Sequence, residues 1–404
     1  MAPTRAHPWV IFSALSLLFF LVSAGTFSTL GVVLTNMVPE LGWTWKQAGL
    51  GYTLLGVACG LTSMAAAASI RRIGVRATTL LGGAMLAAGF GCFALTHSVL
   101  VYLIGASLLG VAFSFSTTVG GTHVLTAIFQ RQSTVVGAYF TIGALGGVAG
   151  PLIYNTVMPL AGWRVFWWLF VAAAVVLALF AAAVSPDRID HEAAPPEQAD
   201  PGQLIADLNE WTVRRGLRTS QFYVIVGAYT MYLLINTTAH GFAVEHLIER
   251  GIPQKDGAVM LSIEALIGAA VSVVGGIAGE KVGPRTLLIW CLITLAIGMS
   301  ALAVAHGYWM MGVYAVGVGI GYGLSFVAAT MLLLTYFGRR AYLELYSIMC
   351  LLSTFAAIGP AVGGWARDTL GSFEGVFFLC AFTAVIMLVA TVFMKKPVLA
   401  RPAA

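Results

Sequence analysis

The chain has 404 residues, of which 59% are hydrophobic and only 9% are charged, and its mean hydropathy is +0.91. Soluble domains carry about 25% charged residues, so this composition excludes an ordinary soluble domain. The net charge of +5 follows from the placement of basic residues described below, and we expect no nucleic acid among the partners.

Apolar segments recur along the whole chain, each close to the ~20 residues that a membrane-spanning helix needs. Short segments with alternating apolar and polar residues, typical of barrel strands, are absent from the sequence. The first segment is too long for the apolar region of a signal peptide, so we expect it in the mature protein. The sequence predicts an all-α membrane protein with twelve transmembrane helices, roughly at 9–35, 47–69, 77–96, 98–128, 134–157, 164–184, 222–247, 257–278, 285–305, 307–334, 342–365 and 373–394.

The basic residues predict the orientation of these helices. With a cytoplasmic N-terminus, 16 of the 21 basic residues fall in cytoplasmic segments, as the positive-inside rule expects. The other five are Lys46, Arg164, Arg250, Lys255 and Arg367. We therefore expect a multi-pass protein of the cell (inner) membrane, monomeric in the lipid bilayer, with both termini in the cytoplasm.

One stretch, residues 185–221, interrupts the apolar pattern with "SPDRIDHEAAPPEQADPG". Leu204, Leu208 and Trp211 then recur at helical spacing, which predicts a short amphipathic helix on the membrane surface. The chain thus divides into a bundle at 1–184, a cytoplasmic linker at 185–221 and a second bundle at 222–404.

The two bundles repeat one another at a fixed offset of 209 residues. "RRIGVR" matches "EKVGPR", "VAGPLI" matches "AIGPAV", and "LGWTWKQAG" matches "RGIPQKDGA". The offset pairs Gly74 with Gly283, Gly150 with Gly359, Gly42 with Gly251, and Gly110 with Gly319. Agreement among separate landmarks predicts two six-helix bundles in parallel tandem, related by an axis along the membrane normal.

These landmarks resemble the major facilitator superfamily over essentially the full length of the chain. "SIRRIGVR" is similar to the superfamily signature Gly-x-x-x-Asp-Arg-x-Gly-Arg, with Arg71 where the acid is expected. The second copy, "GGIAGEKVGPR", has Glu280 at the acidic position. "LGWTW" and the Gly-Pro pairs resemble the monocarboxylate-transporter-like and oxalate–formate-antiporter-like branch.

The resemblance implies a central cavity that opens alternately to each side of the membrane. The first, fourth, seventh and tenth helices would line it, with the fifth, eighth and eleventh contributing. It implies transport of a small molecule rather than enzymatic chemistry, and we expect no cofactor or metal, in keeping with the lack of a P-loop or zinc motif in the sequence. Residues expected to hold one gate are Arg72, Gly74, Arg76, Glu280, Lys281, Gly283 and Arg285.

Glu264 is a lone acid inside an apolar predicted helix. An acid at mid-membrane depth costs at least ~2.5–3.5 kcal/mol, and burial disfavours its charged form. It must therefore face a cavity or a partner, or take up a proton. We predict a proton-coupling role, and the alternative is an acid held by a structural hydrogen bond or wetted near the outer surface.

Polar side chains form a stripe along the seventh predicted helix, where Tyr229, Tyr232, Asn236 and His240 share one face. We predict that the first three bind substrate and that His240 takes part in proton coupling. Two alternatives remain: hydrogen bonding between helices, worth ~0.6 kcal/mol per contact on average, and a surface position for His240.

Three other helices contribute candidates. His123 is a second proton-coupling candidate because histidine titrates near neutral pH, unless it lies at the inner end of its helix. Further predicted substrate-binding residues are Ser114 and Thr118 in the fourth helix, Ser272 in the eighth and Tyr322 in the tenth.

Three functions remain open. Ser272 stands where the resemblance implies an arginine in transporters of small carboxylates, so a lactate-like or oxalate-like substrate is less favoured. The preferred function is proton-coupled uptake of a small organic solute, such as an organic or aromatic carboxylate. The alternative is proton-antiport export of a drug-like or cationic compound, although Ile153 and Tyr154 stand where drug antiporters have Gly-Gly. The third function is a non-transporting sensor or assembly protein on the same fold, which would normally need a sizeable soluble output domain, and the loops here are too short for one.

Overall fold

The computed structural model describes residues 7–129, 132–186 and 211–397, and in this part of the chain nearly every residue is helical and no β-strand occurs. The all-α prediction is confirmed. A π-helical turn at Ser114–Thr118 joins α4 to α5, and a 3-10 turn at Thr354–Ala357 joins α11 to α12. The helices are α1 Pro8–Gly25, α2 Phe27–Leu41, α3 Trp45–Leu95, α4 Val99–Phe113, α5 Val119–Ile128, α6 Gln132–Val184, α7 Val213–Gly216, α8 Ser220–Glu249, α9 Gln254–Val282, α10 Pro284–Ala303, α11 Tyr308–Ser353, α12 Ile358–Leu370 and α13 Glu374–Phe393.

Ten helical segments of the described chain are long and apolar enough to cross a membrane. Two of them, in α3 and α6, run for 51 and 50 residues, whereas one crossing needs ~20. α3 bends at Gly74 (φ 86°) and α6 at Gly162 (φ 80°), a backbone conformation that glycine adopts at no steric cost. Each is therefore long enough for two crossings, and the predicted count of twelve follows only if both are divided at their bends.

The 209-residue repeat is visible in the backbone. Every described residue with positive φ is a glycine, and six of these seven glycines form three pairs separated by 209 residues: Gly42 and Gly251, Gly74 and Gly283, Gly162 and Gly371. The sequence landmarks include the first two pairs, and the backbone dihedrals add the third. Corresponding helices of the two halves thus turn at corresponding residues.

Helix packing follows the same offset. A Cβ added to Gly150 would overlap the hydroxyl of Thr29, and one added to Gly359 would overlap the hydroxyl of Thr238. Thr29 and Thr238 are themselves 209 residues apart. The offset therefore identifies equivalent positions in the first half (described residues up to 186) and the second half (described residues from 211).

Two arginines of the predicted gating loops hold helix ends within their own half. Arg76 lies 3.5 Å from the carbonyl oxygen of Ala183. Arg285 donates from Nε to the carbonyl of Thr391 at 3.1 Å and also contacts the carbonyl of Val392. A cation stabilises the carbonyl end of a helix, so these contacts fasten the last helix of each half.

The predicted linker and its amphipathic helix lie mostly outside the described residues. At the linker's end, the ring of Trp211 packs edge-on against Phe337, with centroids 5.2 Å apart. α7 follows directly and leads into α8.

The two halves are joined at one end of the bundle, called here the Gly42 end, which carries the turns at Gly42, Gly162, Gly251 and Gly371. Gln254 of the second half extends its amide nitrogen to Thr35 Oγ1 at 2.8 Å and to Asn36 Oδ1 at 2.6 Å in the first half. The hydroxyl of Tyr154 donates to the same Asn36 oxygen at 2.7 Å. This hydrogen-bond cluster connects α2, α6 and α9.

A second connection at the Gly42 end involves the start of α3. The carboxylate of Asp368 in α12 accepts hydrogen bonds from the backbone N–H groups of Trp45 (3.1 Å) and Lys46 (2.8 Å). These N–H groups have no partner within the helix, and the positive end of the helix dipole favours a carboxylate there. The halves are thus closed at the Gly42 end.

At the opposite end, called the Gly74 end, the halves separate. A Cβ added to Gly60 in α3 would overlap the side chain of Thr354, so the two chains touch there. One turn further toward the Gly74 end on each side are Met64, which is 74% exposed, and Cys350, which is also exposed. On this face the contact between the halves therefore ends near the middle of the bundle, whereas on another face the rings of Phe140 in α6 and Phe326 in α11 still approach each other, with centroids 6.4 Å apart.

Candidate functional site

Glu264 is the only aspartate, glutamate, lysine or arginine among the fully buried side chains of the described chain, at 1% exposure. It lies in α9, where the backbone packs tightly on α11: a Cβ added to Gly319 would lie 2.7 Å from the carbonyl oxygen of Glu264. An acid in this position needs partners, because its burial without them is costly.

Two side chains from other helices reach the carboxyl group. Tyr314 in α11 donates its hydroxyl to Oε2 at 2.7 Å. His240 in α8 places Nε2 at 3.5 Å from Oε1 and is 6% exposed, so it lies inside the protein rather than at its surface. Tyr314 is not among the residues that the sequence predicts for the site. We call Glu264, His240 and Tyr314 the Glu264 triad.

The hydrogen bond of the other ring nitrogen of His240 indicates which nitrogen carries a proton. Nδ1 lies 3.0 Å from the carbonyl oxygen of Asn236, and because a carbonyl only accepts, Nδ1 carries a proton. Nε2 is therefore the ring nitrogen that faces the Glu264 carboxyl.

The first half has no counterpart of the triad. The equivalent positions, 209 residues earlier, are Leu55, Gly31 and Gly105. Leu55 is buried and packs as Glu264 does: a Cβ added to Gly110 would overlap its carbonyl oxygen. Packing at this position of the repeat therefore does not need an acid.

The triad lies behind a point where the halves cross. A Cβ added to Gly31 in α2 would overlap the carbonyl oxygen of His240 in α8. The hydroxyl of Tyr52 lies beside them, donating to the carbonyl of Phe27 and lying 3.4 Å from the carbonyl of His240. Backbone contact between α2 and α8 thus covers the histidine.

The predicted polar stripe of α8 is assembled with α11. The ring of Tyr232 lies 5.9 Å from that of Tyr229 and 6.1 Å from that of Tyr322. Asn236 follows one turn beyond Tyr232, and its side-chain nitrogen is buried without a hydrogen-bond partner in the structure. Buried polar atoms usually have partners, so this amide is a donor available to a ligand.

Two predicted substrate-binding serines have their hydroxyls engaged by backbone. Ser272 Oγ lies 2.9 Å from the carbonyl oxygen of Gly268 and 3.1 Å from that of Gly323. Ser114 Oγ donates to the carbonyl of Cys59 at 2.7 Å. Their observed contacts join neighbouring helices.

The structure gives few contacts for the remaining predicted site residues. The side chains of Thr118, Glu280 and Lys281 lie outside the described part of the structure. His123 is a half-buried residue of α5, and Arg72 is exposed beside the Gly74 bend.

Two shallow grooves of about 300 and 480 Å³ lie on the flank of α9, α10 and α11 around Tyr308. Exposed apolar side chains such as Ile263, Trp309 and Val316 line them. Neither groove is lined by the Glu264 triad or by Asn236, so neither is the candidate site.

Comparison with protein families agrees with this architecture. The sequence model of the Major Facilitator Superfamily matches residues 15–274 and again residues 234–403. The chain belongs to the Major Facilitator Superfamily. Its family and fold are those of membrane transporters for small solutes, not of enzymes.

Two curated proteins named as transporters are similar in sequence. Monocarboxylate transporter 6 of Homo sapiens is 24% identical over 343 residues, which is 78% of this chain and 65% of that protein. The chain thus spans 65% of that relative's length. The hexuronate transporter of Bacillus subtilis (strain 168) is 21% identical over 393 residues, covering 92% of this chain and 89% of that protein.

Two crystal structures of the nucleoside transporter NupG share the fold. A point mutant superimposes with a TM-score of 0.78 at 11% identity, covering 96% of this chain and 99% of that chain. The other structure gives 0.75 at 12% identity, covering 96% and 100%. At this identity the likeness shows the fold alone, and the predicted superfamily fold is confirmed.

Proposed function

We propose that the protein is a proton-coupled uptake transporter for an organic or aromatic carboxylate, with Glu264 and His240 as the proton-carrying pair. The observation that carries this proposal is the buried pair itself, 3.5 Å apart and covered at the crossing of α2 and α8. Its first-half equivalents are Leu55 and Gly31, so packing alone does not account for it.

Alternating access would couple the pair to the two sides of the membrane. Gly31 and Tyr52 cover His240 while the Gly42 end is closed. Parting of the halves at that end would remove this cover and admit water to the pair. The distribution of basic residues predicts that the Gly42 end faces outside, so a proton would be loaded there and released when the Gly74 end opens.

The carboxylate would be held without a permanent cation. No lysine or arginine is among the fully buried side chains of the described residues. The amide nitrogen of Asn236 is a free donor, and the neighbouring rings of Tyr229, Tyr232 and Tyr322 carry further hydroxyls. A proton carried with the anion would make each cycle electrically neutral. The relatives named for monocarboxylates and hexuronates also suit a carboxylate substrate.

This mechanism uses the two bundles that the sequence predicts. The bundles at 1–184 and 222–404 would rock about the central site. The protein would lie in the inner membrane of the cell, with the linker 185–221 and both termini in the cytoplasm. Arg76 and Arg285 would keep each bundle rigid through their contacts to its last helix.

Uptake into proteoliposomes tests the proposal. We expect Glu264→Gln to lower carboxylate uptake driven by an inward proton gradient by at least about tenfold, or ~1.4 kcal/mol. Exchange of labelled for unlabelled substrate should remain, because it needs no net proton movement. Glu344→Gln, the same change at an exposed acid, should behave as wild type.

A different outcome would support the second candidate, export by proton antiport. A single buried carboxylate without a buried lysine or arginine is also suited to bind a cation and a proton in turn. Exchange of organic cations only, abolished in Glu264→Gln, would establish that function. Gradient-driven uptake unchanged by the substitution would contradict both.

A further inference from the structure

The two halves present different walls to the centre of the bundle. The 209-residue offset, which holds in the packing of both halves, allows the walls to be compared position by position. Three polar side chains of the second half correspond to phenylalanines of the first: Tyr229 to Phe20, Asn236 to Phe27, and Tyr322 to Phe113.

Two of these residues lie close to the crossing of α2 and α8. Gly31 touches the backbone of His240 at the crossing. One turn toward the Gly74 end, four residues earlier in each helix, lie Phe27 and Asn236. Each therefore lies on the same face of its helix as the residue that makes the crossing contact.

The first-half wall is apolar and aromatic. The rings of Phe27 and Phe113 lie 5.8 Å apart in an edge-to-face arrangement, and Phe19 lies 6.0 Å from Phe113. Phe27 and Phe113 are only partly buried, so their ring surfaces are available for contact. Phenylalanine has no group that could satisfy a hydroxyl placed against it, and an unpaired buried hydroxyl is costly.

The second-half wall offers hydrogen bonds instead. It carries the unpartnered amide of Asn236 and the phenols of Tyr232 and Tyr322, whose rings are 6.1 Å apart. A solute between the walls meets donors on one flank and aromatic rings on the other. The halves therefore select for a molecule with one polar and one apolar flank.

We propose that the substrate is an amphipathic carboxylate with a flat apolar ring, such as an aromatic acid, and not a polyhydroxylated acid. Its ring rests against Phe27 and Phe113, and its carboxylate meets Asn236. This assignment rests on the proposed function of the same site, and it names the part of the carboxylate class that the walls select.

Uptake of matched acids into proteoliposomes tests the assignment. Benzoate has one ring and one carboxylate, glucuronate carries hydroxyls around its ring, and pyruvate has no ring. We expect benzoate to be taken up at least about tenfold more efficiently than glucuronate, the scale on which an apolar site discriminates against hydroxyls. Efficient glucuronate uptake, equal to that of benzoate or greater, would overturn the assignment.

Substitutions in the two walls should distinguish the contribution of ring contact to uptake from the contribution of carboxylate binding. We expect Phe113→Ala to lower benzoate uptake about tenfold through lost ring contact and to leave pyruvate uptake within about twofold of wild type. Phe113→Leu keeps most of the apolar volume and provides a second variant if the alanine variant does not fold. Asn236→Leu should lower the uptake of both benzoate and pyruvate. Phe378→Ala, at an exposed position of α13, is the control.

Failure of the assignment and failure of the proposed function give different results. Equal loss of benzoate and pyruvate uptake in both Phe113 variants would overturn the assignment and leave proton coupling intact. Benzoate uptake that does not depend on the proton gradient, but is lost in Phe113→Ala, would contradict the proton coupling and support the assignment. Transport of none of the three acids would overturn both.

Discussion

At the scale of single residues, Glu264 is defined by its partners. Tyr314 donates to the carboxyl at 2.7 Å, and His240 approaches the other oxygen. The Tyr314 hydroxyl and the Glu264 carboxyl satisfy each other, and leaving either buried without this hydrogen bond typically costs about 1–3 kcal/mol. Removing both partners of this hydrogen bond should therefore cost less than the sum of the two single removals.

We predict this non-additivity for Tyr314→Phe and Glu264→Leu, leucine being the residue at the equivalent position 55. Each single substitution should lower the thermal stability of the purified protein. The double substitution should be less destabilising than the sum by about 1 kcal/mol, because it leaves neither member of that hydrogen bond unpaired.

Thermal unfolding in detergent measures this coupling. Tyr308→Phe removes an exposed hydroxyl that bonds Asp256 and should change stability little, since surface hydrogen bonds are replaced by water. Simple additivity of the Tyr314 and Glu264 effects would show that the two groups do not act as a unit.

At the scale of helices, glycine positions decide how closely α9 and α11 approach. Gly319 lies against the backbone of Glu264, where an added Cβ would be 2.7 Å from a carbonyl oxygen and 3.0 Å from Ile267 Cβ. Gly312, two turns earlier in the same helix, has no atom within 4 Å of that position. Backbone and a β-branched side chain cannot move aside easily, so the two glycines should respond differently to alanine.

We predict that Gly319→Ala destabilises the protein by about 1–3 kcal/mol through overpacking. Gly312→Ala should be neutral or stabilising by up to ~1 kcal/mol, since alanine is the better helix former. Thermal unfolding of the two variants side by side measures the difference. Equal effects would show that α9 and α11 do not pack as closely as described.

At the scale of the whole molecule, the protein is closed at the Gly42 end and parted at the Gly74 end. Gln254 reaches from α9 to two side chains and the Val32 carbonyl of α2. These hydrogen bonds exist only while that end is closed, so they bias the equilibrium between the two openings. Cys350, exposed on the separated side, is a native reporter of that equilibrium.

We expect Gln254→Ala to shift the population away from the form that is open at the Gly74 end. Loss of about 1 kcal/mol of net hydrogen bonding corresponds to roughly a fivefold change in the equilibrium. The alkylation of Cys350 should slow accordingly, because its side of the protein closes more often.

Gln221→Ala provides the matched control, since the side chain of Gln221 bonds the Lys395 carbonyl and the Ser220 hydroxyl, both within the second half. Its alkylation rate should equal that of wild type. An unchanged rate in Gln254→Ala would mean that these hydrogen bonds do not hold the Gly42 end closed.

The sequence by itself determined the features that depend on local composition and spacing. Apolar segments of spanning length predict the all-helical membrane fold, and the glycines at a 209-residue offset predict the repeat that the backbone shows. A carboxylate in an apolar helix is costly unless it has partners or faces a cavity, so Glu264 could be singled out without a structure.

Only the tertiary structure decided which groups meet that carboxylate. Tyr314 is 50 residues away along the chain. His240 lies in another helix, and the sequence left open how deep in the membrane this histidine lies. Ser114 and Ser272 have the composition of a binding site, but backbone carbonyls of neighbouring helices take their hydroxyls. Side-chain partners depend on how the helices cross, and a pattern along one helix carries no information about the atoms that face it from the next.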